Sequence, residues 1–494
     1  MARPVRIAFN NSYTALPDRF YARVAPSTAE APQLIELNID LARELGFDPE
    51  WLCGVEGIEF LSGKQVVSGS QPIATAYAGH QFGNFVPQLG DGRAILLGEV
   101  IRPDGQRCDV QLKGAGATPF SRGGDGKAAL GPVLREYVIS EAMAAMGIPT
   151  TRALAALTTG QTVIRERALP GAVLVRLASS HIRVGTFQYF AVRGDVEALR
   201  MLADYVIARH YPAAAGAEHP YRELLVSVVA AQAKLIARWL QVGFIHGVMN
   251  TDNMAVAGET IDYGPCAFMD AYDPAAVFSS IDRMGRYAYA NQPSIGLWNL
   301  TRLAETLLPL LSNDQDAAVR EAEDVLDGFA PLFQAEYLAG FRKKLGLFTD
   351  REEDGELIRT LLDAMARNQV DFTQLFRRLV DATEVGERAM AVRMLFAAPE
   401  EFDQWANQWR ARLQLEAQDA AARRAAMRAA NPAYIPRNHR IEAMIAAAVD
   451  EGDFAPMKEL LQVLAHPFDD QPGLEKYQEP PHPDERVLAT FCGT

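Results

Sequence analysis

The chain of 494 residues is poor in cysteine and has no long hydrophobic run. Its four cysteines, Cys53, Cys108, Cys266 and Cys492, are scattered without a C-x-x-C pair, which argues against a zinc ribbon and against a secreted disulfide scaffold. No segment approaches the ~20 uninterrupted apolar residues of a membrane span, and the N-terminus has no apolar core of signal-peptide length. We therefore expect a soluble, cytoplasmic protein that does not enter a membrane.

Positive charge is also in short supply. Lys and Arg number 48 against 62 Asp and Glu, which gives a formal net charge of -14. Nucleic acids and anionic membranes attract basic surfaces, so we expect neither as a partner. The balance of 49% hydrophobic and 22% charged residues is typical of a globular chain, and the length suggests two or three domains or lobes.

The hydrophobic pattern of the sequence changes from strand-like to helical near residue 195. Before it, short apolar runs between Gly-rich turns predict strands in RAILLGEVI, CDVQLKG, TTRALAALTTG, QTVIRER and GAVLVRLA, with a helix in LREYVISEAMAAMG. After it, helical periods dominate, as in ALRMLADYVIARHY, YRELLVSVVAAQAKLIARWLQVG and VREAEDVLDGFAPLFQAEYLAGFRKKLG. We predict an α+β fold with a β-rich lobe over residues 1–195, a helical lobe over 196–400 and a helical C-terminal extension with a Pro-rich tail over 401–494.

Residues 246–266 read HGVMNTDNMAVAGETIDYGPC and resemble a protein-kinase catalytic segment, but the position of the catalytic base is wrong for a kinase. Kinases have H-R-D-x-x-x-x-N followed by D-F-G, in which the first Asp handles the substrate proton and the Asn and second Asp hold metal. His246 is in register with Asn253, and Asp262 begins the D-Y-G that replaces D-F-G. Val248 stands where the catalytic Asp would be, so the segment lacks the kinase base.

The remaining polar residues of this segment suggest a substitute. Asn253 and Asp262 are oxygen ligands suited to Mg²⁺ that bridges phosphates. Asp252 is the nearest carboxylate that could replace the missing base, although it could equally be a buried orienting group. We predict a structural role for His246.

Basic and Gly-rich segments upstream indicate a phosphate site. Gly90 and Gly92 flank a tight turn that could bring backbone N–H groups close to phosphate, although Gly-Asp-Gly is also a common hairpin turn. Lys113 ends an alternating strand and Glu136 follows on the next helix, the order in which kinases place their phosphate-binding Lys and its partner Glu. The loop GAGATPFSRGGDGKAALGP and the strand after it add charged or flexible positions suited to polyphosphate. These are Arg122, Asp125, Gly126, Lys127, Arg176 and Arg183.

Together these segments resemble one family, the selenoprotein O pseudokinases, over nearly the whole chain. The resemblance rests on GHQFG, QLGDGRA, QLKGAG, RGGDG, LREY, VRLASSHIRVGTFQYFA, HGVMNTDNM and DYGPC. It implies a protein-kinase-like two-lobe fold that transfers AMP from ATP to the Ser, Thr or Tyr hydroxyls of protein substrates. ATP would bind in the reverse sense, with the α-phosphorus facing the acceptor and the γ-phosphate buried.

The resemblance also implies a role for each matching residue. Lys113, Arg176 and Arg183 would hold the outer phosphates, and Asn253 and Asp262 would hold Mg²⁺ or Mn²⁺. Asp252 would be the general base. The nucleotide site would be completed by Gly90, Gly92, Arg93, Asp125 and Gly126, with Glu136 paired to Lys113.

Two other functions stay open, and one regulatory feature is implied. The alternatives are a kinase of proteins or small molecules that uses Asp252 as base, and a non-catalytic ATP-binding scaffold. Relatives that carry selenocysteine have it near the C-terminus, so the resemblance implies that Cys492 occupies a redox position. It could form a disulfide with Cys266 that restrains the tail, against the alternative of two thiols in a reducing compartment.

Overall fold

The structure is a computed structural model that describes residues 7–27, 29–384 and 386–491. It has a β-rich N-terminal part and a helical C-terminal part, which confirms the predicted α+β class. The strands are β1 (Tyr21–Arg23), β2 (Gln33–Leu37), β3 (Ile73–Thr75), β4 (Gly79–Gln81), β5 (Asn84–Val86), β6 (Ala94–Ile101), β7 (Arg107–Lys113), β8 (Ala128–Ala129), β9 (Arg152–Ile164), β10 (Ala168–Ala178), β11 (Phe244–Ile245) and β12 (Ala267–Phe268).

The helices of the N-terminal part are short except for one. They are α1 (Ile39–Glu44), α2 (Pro49–Cys53), α3 (Val55–Leu61), α4 (Leu130–Ala145) and α5 (Val184–Ala191). The later helices are α6 (Val196–His210), α7 (Pro220–Gln241), α8 (Gln292–Leu311), α9 (Gln315–Leu326), α10 (Phe329–Lys344), α11 (Asp354–Asn368), α12 (Phe372–Leu379), α13 (Glu387–Arg393), α14 (Pro399–Leu413), α15 (Ala420–Ala430), α16 (Asn438–Ala446) and α17 (Ala455–Leu464). No helix in the described ranges is long and apolar enough to cross a membrane.

The main sheet has the strand order β1-β3-β6-β7-β10-β9-β2, with β8 paired to β10 outside this path. Side chains alternate across a strand, and the alternation divides β7 between two environments. Val110 and Leu112 pack into a core with α1 and α3. Gln111 and Lys113 fall on the opposite face, where α4 lies. Leu174 of β10 joins the α4 core, and Arg176 follows two residues later on that face.

Two segments differ from the sequence prediction. The sequence predicts two strands in TTRALAALTTG and QTVIRER, but the structure has one strand there, β9. Gly160 lies inside this strand with a positive φ of 72°, and the strand continues past it. The long period from residue 319 to residue 346 is two helices, since α9 ends before Asp327 and α10 begins after Gly328. The other predicted strands and helices coincide with elements of the structure. The lobe boundaries at 195 and 400 and the kinase-like character stay predictions.

Candidate active site

A cluster of buried charges lies where β7, β10 and α4 meet the D-Y-G segment. Lys113 Nζ lies 2.5 Å from Glu136 Oε2 and 2.7 Å from Asp262 Oδ1. Arg176 Nη1 lies 3.0 Å from Glu136 Oε1 and 2.6 Å from Asp262 Oδ1. The same arginine donates to Gln111 Oε1 from Nη2 (2.6 Å) and Nε (3.2 Å). The Lys–Glu pair predicted from the sequence is therefore formed, with Arg176 as a third member.

Arg183 approaches Asp262 from the other side. Its Nη1 donates to Asp262 Oδ2 (2.6 Å) and to the backbone oxygen of Asp252 (2.6 Å). Its guanidinium carbon lies 4.7 Å from the centre of the Tyr77 ring, and Nη2 lies 3.8 Å from Asp91 Oδ1. Arg183 is the N-cap residue of α5 and directly precedes Val184, the first residue of that helix.

Asp262 is the centre of this cluster. It adopts a left-handed backbone conformation with φ of 64°, which is uncommon for a residue other than glycine. Burial would raise the pKa of its carboxyl group, but the charges of Lys113, Arg176 and Arg183 hold that pKa well below its usual range. Asp262 is therefore an anion that neutralises buried cations.

Asp252 lies in a short 3-10 turn, Thr251–Asn253, which packs against the β4–β5 hairpin. Gln81 Nε2 donates to Asp252 Oδ2 (3.2 Å), while Oδ1 is buried and has no hydrogen-bond partner among the described residues. Burial raises the pKa of Asp252 to about 6, against the lowering effect of Arg183. A carboxyl group with a pKa near neutrality and a free oxygen has the properties of a general base.

Two neighbours explain how the turn is held so tightly. A Cβ added at Gly79 would lie 2.6 Å from Asp252 Oδ1, so only glycine allows β4 to approach this closely. Thr251 Oγ1 accepts from the backbone N–H of His80 (2.7 Å) and donates to Gln188 Oε1 (2.6 Å). His246 is buried and bonded to the Ile261 carbonyl through Nε2 (2.9 Å), which agrees with a structural role.

The glycines of the predicted phosphate loops allow close packing. Gly90 has a φ of 73°, and a Cβ there would overlap the Phe120 ring; at Gly92 a Cβ would lie 2.9 Å from the Phe120 carbonyl oxygen. Gly126, with a φ of 66°, meets the backbone of Gly116 in the same way. Asp125 pairs with Arg165 at 2.9 Å, and this hydrogen bond is the main reason that its pKa is lowered.

Three basic side chains near these loops have no ion-pair partner in the described part of the chain. They are Arg93, Arg122 and Lys127, and all three line the same cavity as the charge cluster. In a protein of net charge -14, free cations around one cavity favour an anionic ligand.

One cavity of about 820 Å³ brings the predicted nucleotide-site residues together. This volume falls in the range of small-molecule sites. Every residue predicted for the base, the metal and the nucleotide lines it, namely Gly90, Gly92, Arg93, Lys113, Asp125, Gly126, Arg176, Arg183, Asp252, Asn253 and Asp262, together with Glu136.

Several lining residues were missed by sequence reasoning. Asp91 lies between the two predicted glycines, and its Oδ2 accepts from the backbone N–H (3.1 Å) and Oγ1 (2.6 Å) of Thr75. Tyr77, Gln81 and Arg165 also line the cavity. Gln81, inside GHQFG, and Asp91, inside QLGDGRA, lay in segments that could have indicated a role. Tyr77 and Arg165 lay in neither segment and reach the cavity only in the folded chain.

Comparison with known proteins identifies the family of the chain. A family model described as protein adenylyltransferase SelO matches residues 4–465. The chain belongs to the SelO family. It is 65% identical over 490 residues to a protein of Bradyrhizobium sp. (strain ORS 278) named protein nucleotidyltransferase YdiU, covering 99% of this chain and 100% of that protein.

Relatives from other bacteria give the same result. A protein of the same name from Rhodopseudomonas palustris (strain BisB5) is 65% identical over 494 residues, with 99% and 100% of the two chains covered. One from Methylorubrum populi is 63% identical over 492 residues, with 98% and 99% covered. Membership of the SelO family confirms the resemblance seen in the sequence, and with it the prediction of a nucleotidyltransferase.

The donor atoms suit a hard cation that takes most of its ligands from phosphate and water. Asp262 Oδ2 accepts one hydrogen bond and keeps a lone pair, and Asn253 donates through Nδ2 to the Val248 carbonyl (3.0 Å), which leaves its amide oxygen unused. No group of three or more His, Cys, Asp or Glu among the described residues could hold a metal ion by itself. The residues fit a metal bound jointly with a nucleotide.

Only one cysteine of the predicted redox pair lies among the described residues. Cys266 is buried, its Sγ lies 3.5 Å from the Tyr263 carbonyl oxygen, and it does not line the cavity. Cys492 lies outside the described residues. The Cys266–Cys492 disulfide stays a prediction.

Proposed function

We propose that this member of the SelO family transfers AMP from ATP to Ser, Thr or Tyr hydroxyls of protein substrates in the cytoplasm and releases pyrophosphate. The nucleotide would occupy the 820 Å³ cavity of a kinase-like cleft in the reversed orientation. The observation that carries this proposal is the burial of two arginines: Arg176 is 1% exposed and Arg183 3% exposed. Both line the cavity, and a buried guanidinium suits an outer phosphate far better than an adenine ring.

The reaction needs a base, an aligned phosphorus and a stabilised leaving group. Asp252 Oδ1 takes the proton of the acceptor hydroxyl, and the hydroxyl oxygen forms a bond to the α-phosphorus. As this bond forms, the bond between the α-phosphorus and the oxygen that bridges it to the β-phosphorus breaks. Pyrophosphate leaves with the negative charge, which Lys113, Arg176 and Arg183 stabilise.

Asn253 would hold Mg²⁺ or Mn²⁺ through its amide oxygen, and Asp262 through the remaining lone pair of Oδ2. When bound, the cation supplies further positive charge to the phosphates. Glu136 positions Lys113 and Arg176, since its carboxylate bridges both. Gln81 donates a hydrogen bond to Oδ2 of Asp252, and Oδ1 has no partner among the described residues, so it can accept the proton.

The test is incubation of the protein with a mixed cell extract and ATP labelled at either the α- or the γ-phosphate. Transfer of the α-label to protein, with release of labelled pyrophosphate from γ-labelled ATP, is the expected result. Transfer of the γ-label would instead identify a kinase. ATP binding without transfer of either label would identify a scaffold.

A further inference from the structure

The segment of residues 278–287, here called the rim loop, forms part of the cavity wall and part of the outer surface. Ile281 lines the cavity and is 62% exposed, and Met284 is 92% exposed. Leu488 and Phe491 are 76% and 69% exposed and flank Thr490, the residue that joins the C-terminal segment to this loop. Single exposed apolar residues are common, but four on two joined segments beside a ligand cavity indicate an interaction surface.

Hydrogen bonds fix the rim loop to the C-terminal segment and within itself. Thr490 donates its backbone N–H to the Phe278 carbonyl (2.7 Å) and accepts from the backbone N–H of Ser280 (3.1 Å). Its hydroxyl donates to the carbonyl of Pro265 (2.6 Å), three residues after Asp262. Asp282 accepts the backbone N–H groups of Arg286 (2.9 Å) and Tyr287 (2.7 Å). Exposed apolar side chains on a preorganised loop can bind a partner without the entropy cost of ordering the loop.

The loop is also connected to the 3-10 turn Thr251–Asn253, which carries Asp252. The Tyr287 hydroxyl donates to Asn250 Oδ1 (2.6 Å), and the backbone N–H of Phe82 donates to the same oxygen (3.0 Å). Phe82 and Tyr287 are in ring contact with centroids 5.1 Å apart. A substrate segment bound to the rim loop would therefore lie at a fixed position relative to the turn that carries Asp252.

The charge of the loop differs from that of the molecule. Arg283 is exposed and has no ion-pair partner among the described residues, while the only carboxylate of the loop, Asp282, is buried and bonded to backbone N–H groups. The rest of the protein carries a net negative charge. The exposed part of the rim loop is thus basic and apolar, which complements an acidic and apolar segment.

We propose that the rim loop binds an extended segment of the protein substrate beside the modified hydroxyl, with an acidic side chain against Arg283 and an apolar side chain against Met284. The inference rests on the proposed function, because it names the acceptor that the same cavity would modify. It assigns recognition of local sequence to residues that do not touch the nucleotide site.

The experiment uses a peptide library with a central Ser, Thr or Tyr and randomised flanking positions, labelled from α-labelled ATP. The wild type is compared with Arg283→Glu and Met284→Ser, and with the matched exposed controls Arg351→Glu and Met394→Ser, which do not line the cavity. The affinity for ATP is measured by calorimetry for each protein. A mixed cell extract labelled in parallel shows whether the protein transfers AMP at all.

The wild type and both controls are expected to prefer an acidic and an apolar residue at fixed positions. Arg283→Glu should reduce the acidic preference about two- to fivefold, the size of an exposed ion pair, and Met284→Ser should reduce the apolar preference about tenfold, with ATP affinity unchanged in both. Identical preferences in all proteins would overturn the inference while leaving the proposed function intact. Labelled extract proteins without labelled peptides would overturn it too, because the acceptor would then not be read as a linear segment. Absence of label in the extract would reject the proposed function itself.

Discussion

At the scale of single residues, Asp262 has two separable roles. It neutralises Lys113, Arg176 and Arg183 in the structure, and in the proposed reaction it holds the metal. Removal of its charge leaves buried cations uncompensated, which lowers the free energy of unfolding by ~3 kcal/mol or more. The two roles can be measured apart because nucleotide phosphates can replace the lost negative charge.

We expect Asp262→Asn to abolish AMP transfer and the gain in ATP affinity that Mg²⁺ provides. The thermal midpoint should fall without ligand and recover more strongly with ATP than that of the wild type, since the free cations bind phosphate. Calorimetry with Mg²⁺ and with a chelator, together with thermal scans, checks this. Unchanged transfer, or an undiminished Mg²⁺ effect, would reject Asp262 as the metal ligand.

Asp252 is expected to act in the chemical step alone. Asp252→Asn preserves the shape of the side chain but removes the proton acceptor, so transfer at saturating ATP should fall ~10²- to 10⁴-fold with ATP affinity nearly intact. Single-turnover rates and equilibrium binding separate these quantities. A variant that binds ATP poorly and keeps its rate at saturation would make Asp252 a ligand and not the base.

The two buried arginines test the orientation of the nucleotide. In the reversed pose Arg176 and Arg183 meet the outer phosphates, so Arg176→Ala and Arg183→Ala should weaken binding of ATP far more than binding of AMP. Calorimetry of both ligands against each variant is the measurement. Equal losses for ATP and AMP would contradict the reversed orientation.

At the scale of elements, the β4–β5 hairpin packs against the turn that carries Asp252, the proposed base. A Cβ at residue 79 would lie 2.6 Å from Asp252 Oδ1, so Gly79→Ala should displace the carboxylate and reduce kcat about tenfold or more without changing ATP affinity. Gly216→Ala is the matched control, because a Cβ there meets nothing within 4 Å. In the Asp252→Asn background the Gly79 substitution should add no further loss; an additive loss would show that the hairpin acts by another route.

The elements also show what the sequence could predict. Lys113, Glu136, Arg176 and Asp262 were predictable because alternation in β7 and β10 and motif spacing place them on the face of the sheet toward α4. The contacts of Asp91 and Tyr77 with Arg183 were not, since they join segments about 90 to 110 residues apart in sequence. The continuity of β9 through Gly160 was missed because glycine usually marks a turn. The break between α9 and α10 was missed because an apolar periodicity continues across it.

At the scale of the whole molecule, the last helices contact both parts of the fold, since α16 and α17 pack against α4 and α15 packs against α10. Lys344, the last residue of α10, is buried, and its carbonyl accepts from Asn431 Nδ2 (2.9 Å) just after α15. Its ammonium nitrogen lies 4.4 Å from the centre of the Phe376 ring and 5.5 Å from that of Phe372. It forms no ion pair with any described carboxylate, so the rings are its main compensation for burial.

This lysine makes the stability of the protein depend on pH. Burial lowers the pKa of Lys344 to about 7, from 10.5 in an exposed lysine. Between these values the unfolded chain binds a proton that the folded chain does not, so the unfavourable contribution is full below pH 7 and disappears as the pH rises through 10.5. Lys344→Met, which keeps the length of the side chain without its charge, should therefore raise the thermal midpoint most at pH 7 and progressively less toward pH ~10. The neighbouring Lys343→Met is the control, because Lys343 is exposed and should change the midpoint little at any pH. A constant difference between Lys344→Met and the wild type across this range would mean that Lys344 stays protonated in the folded protein and that the aromatic rings fully offset its burial.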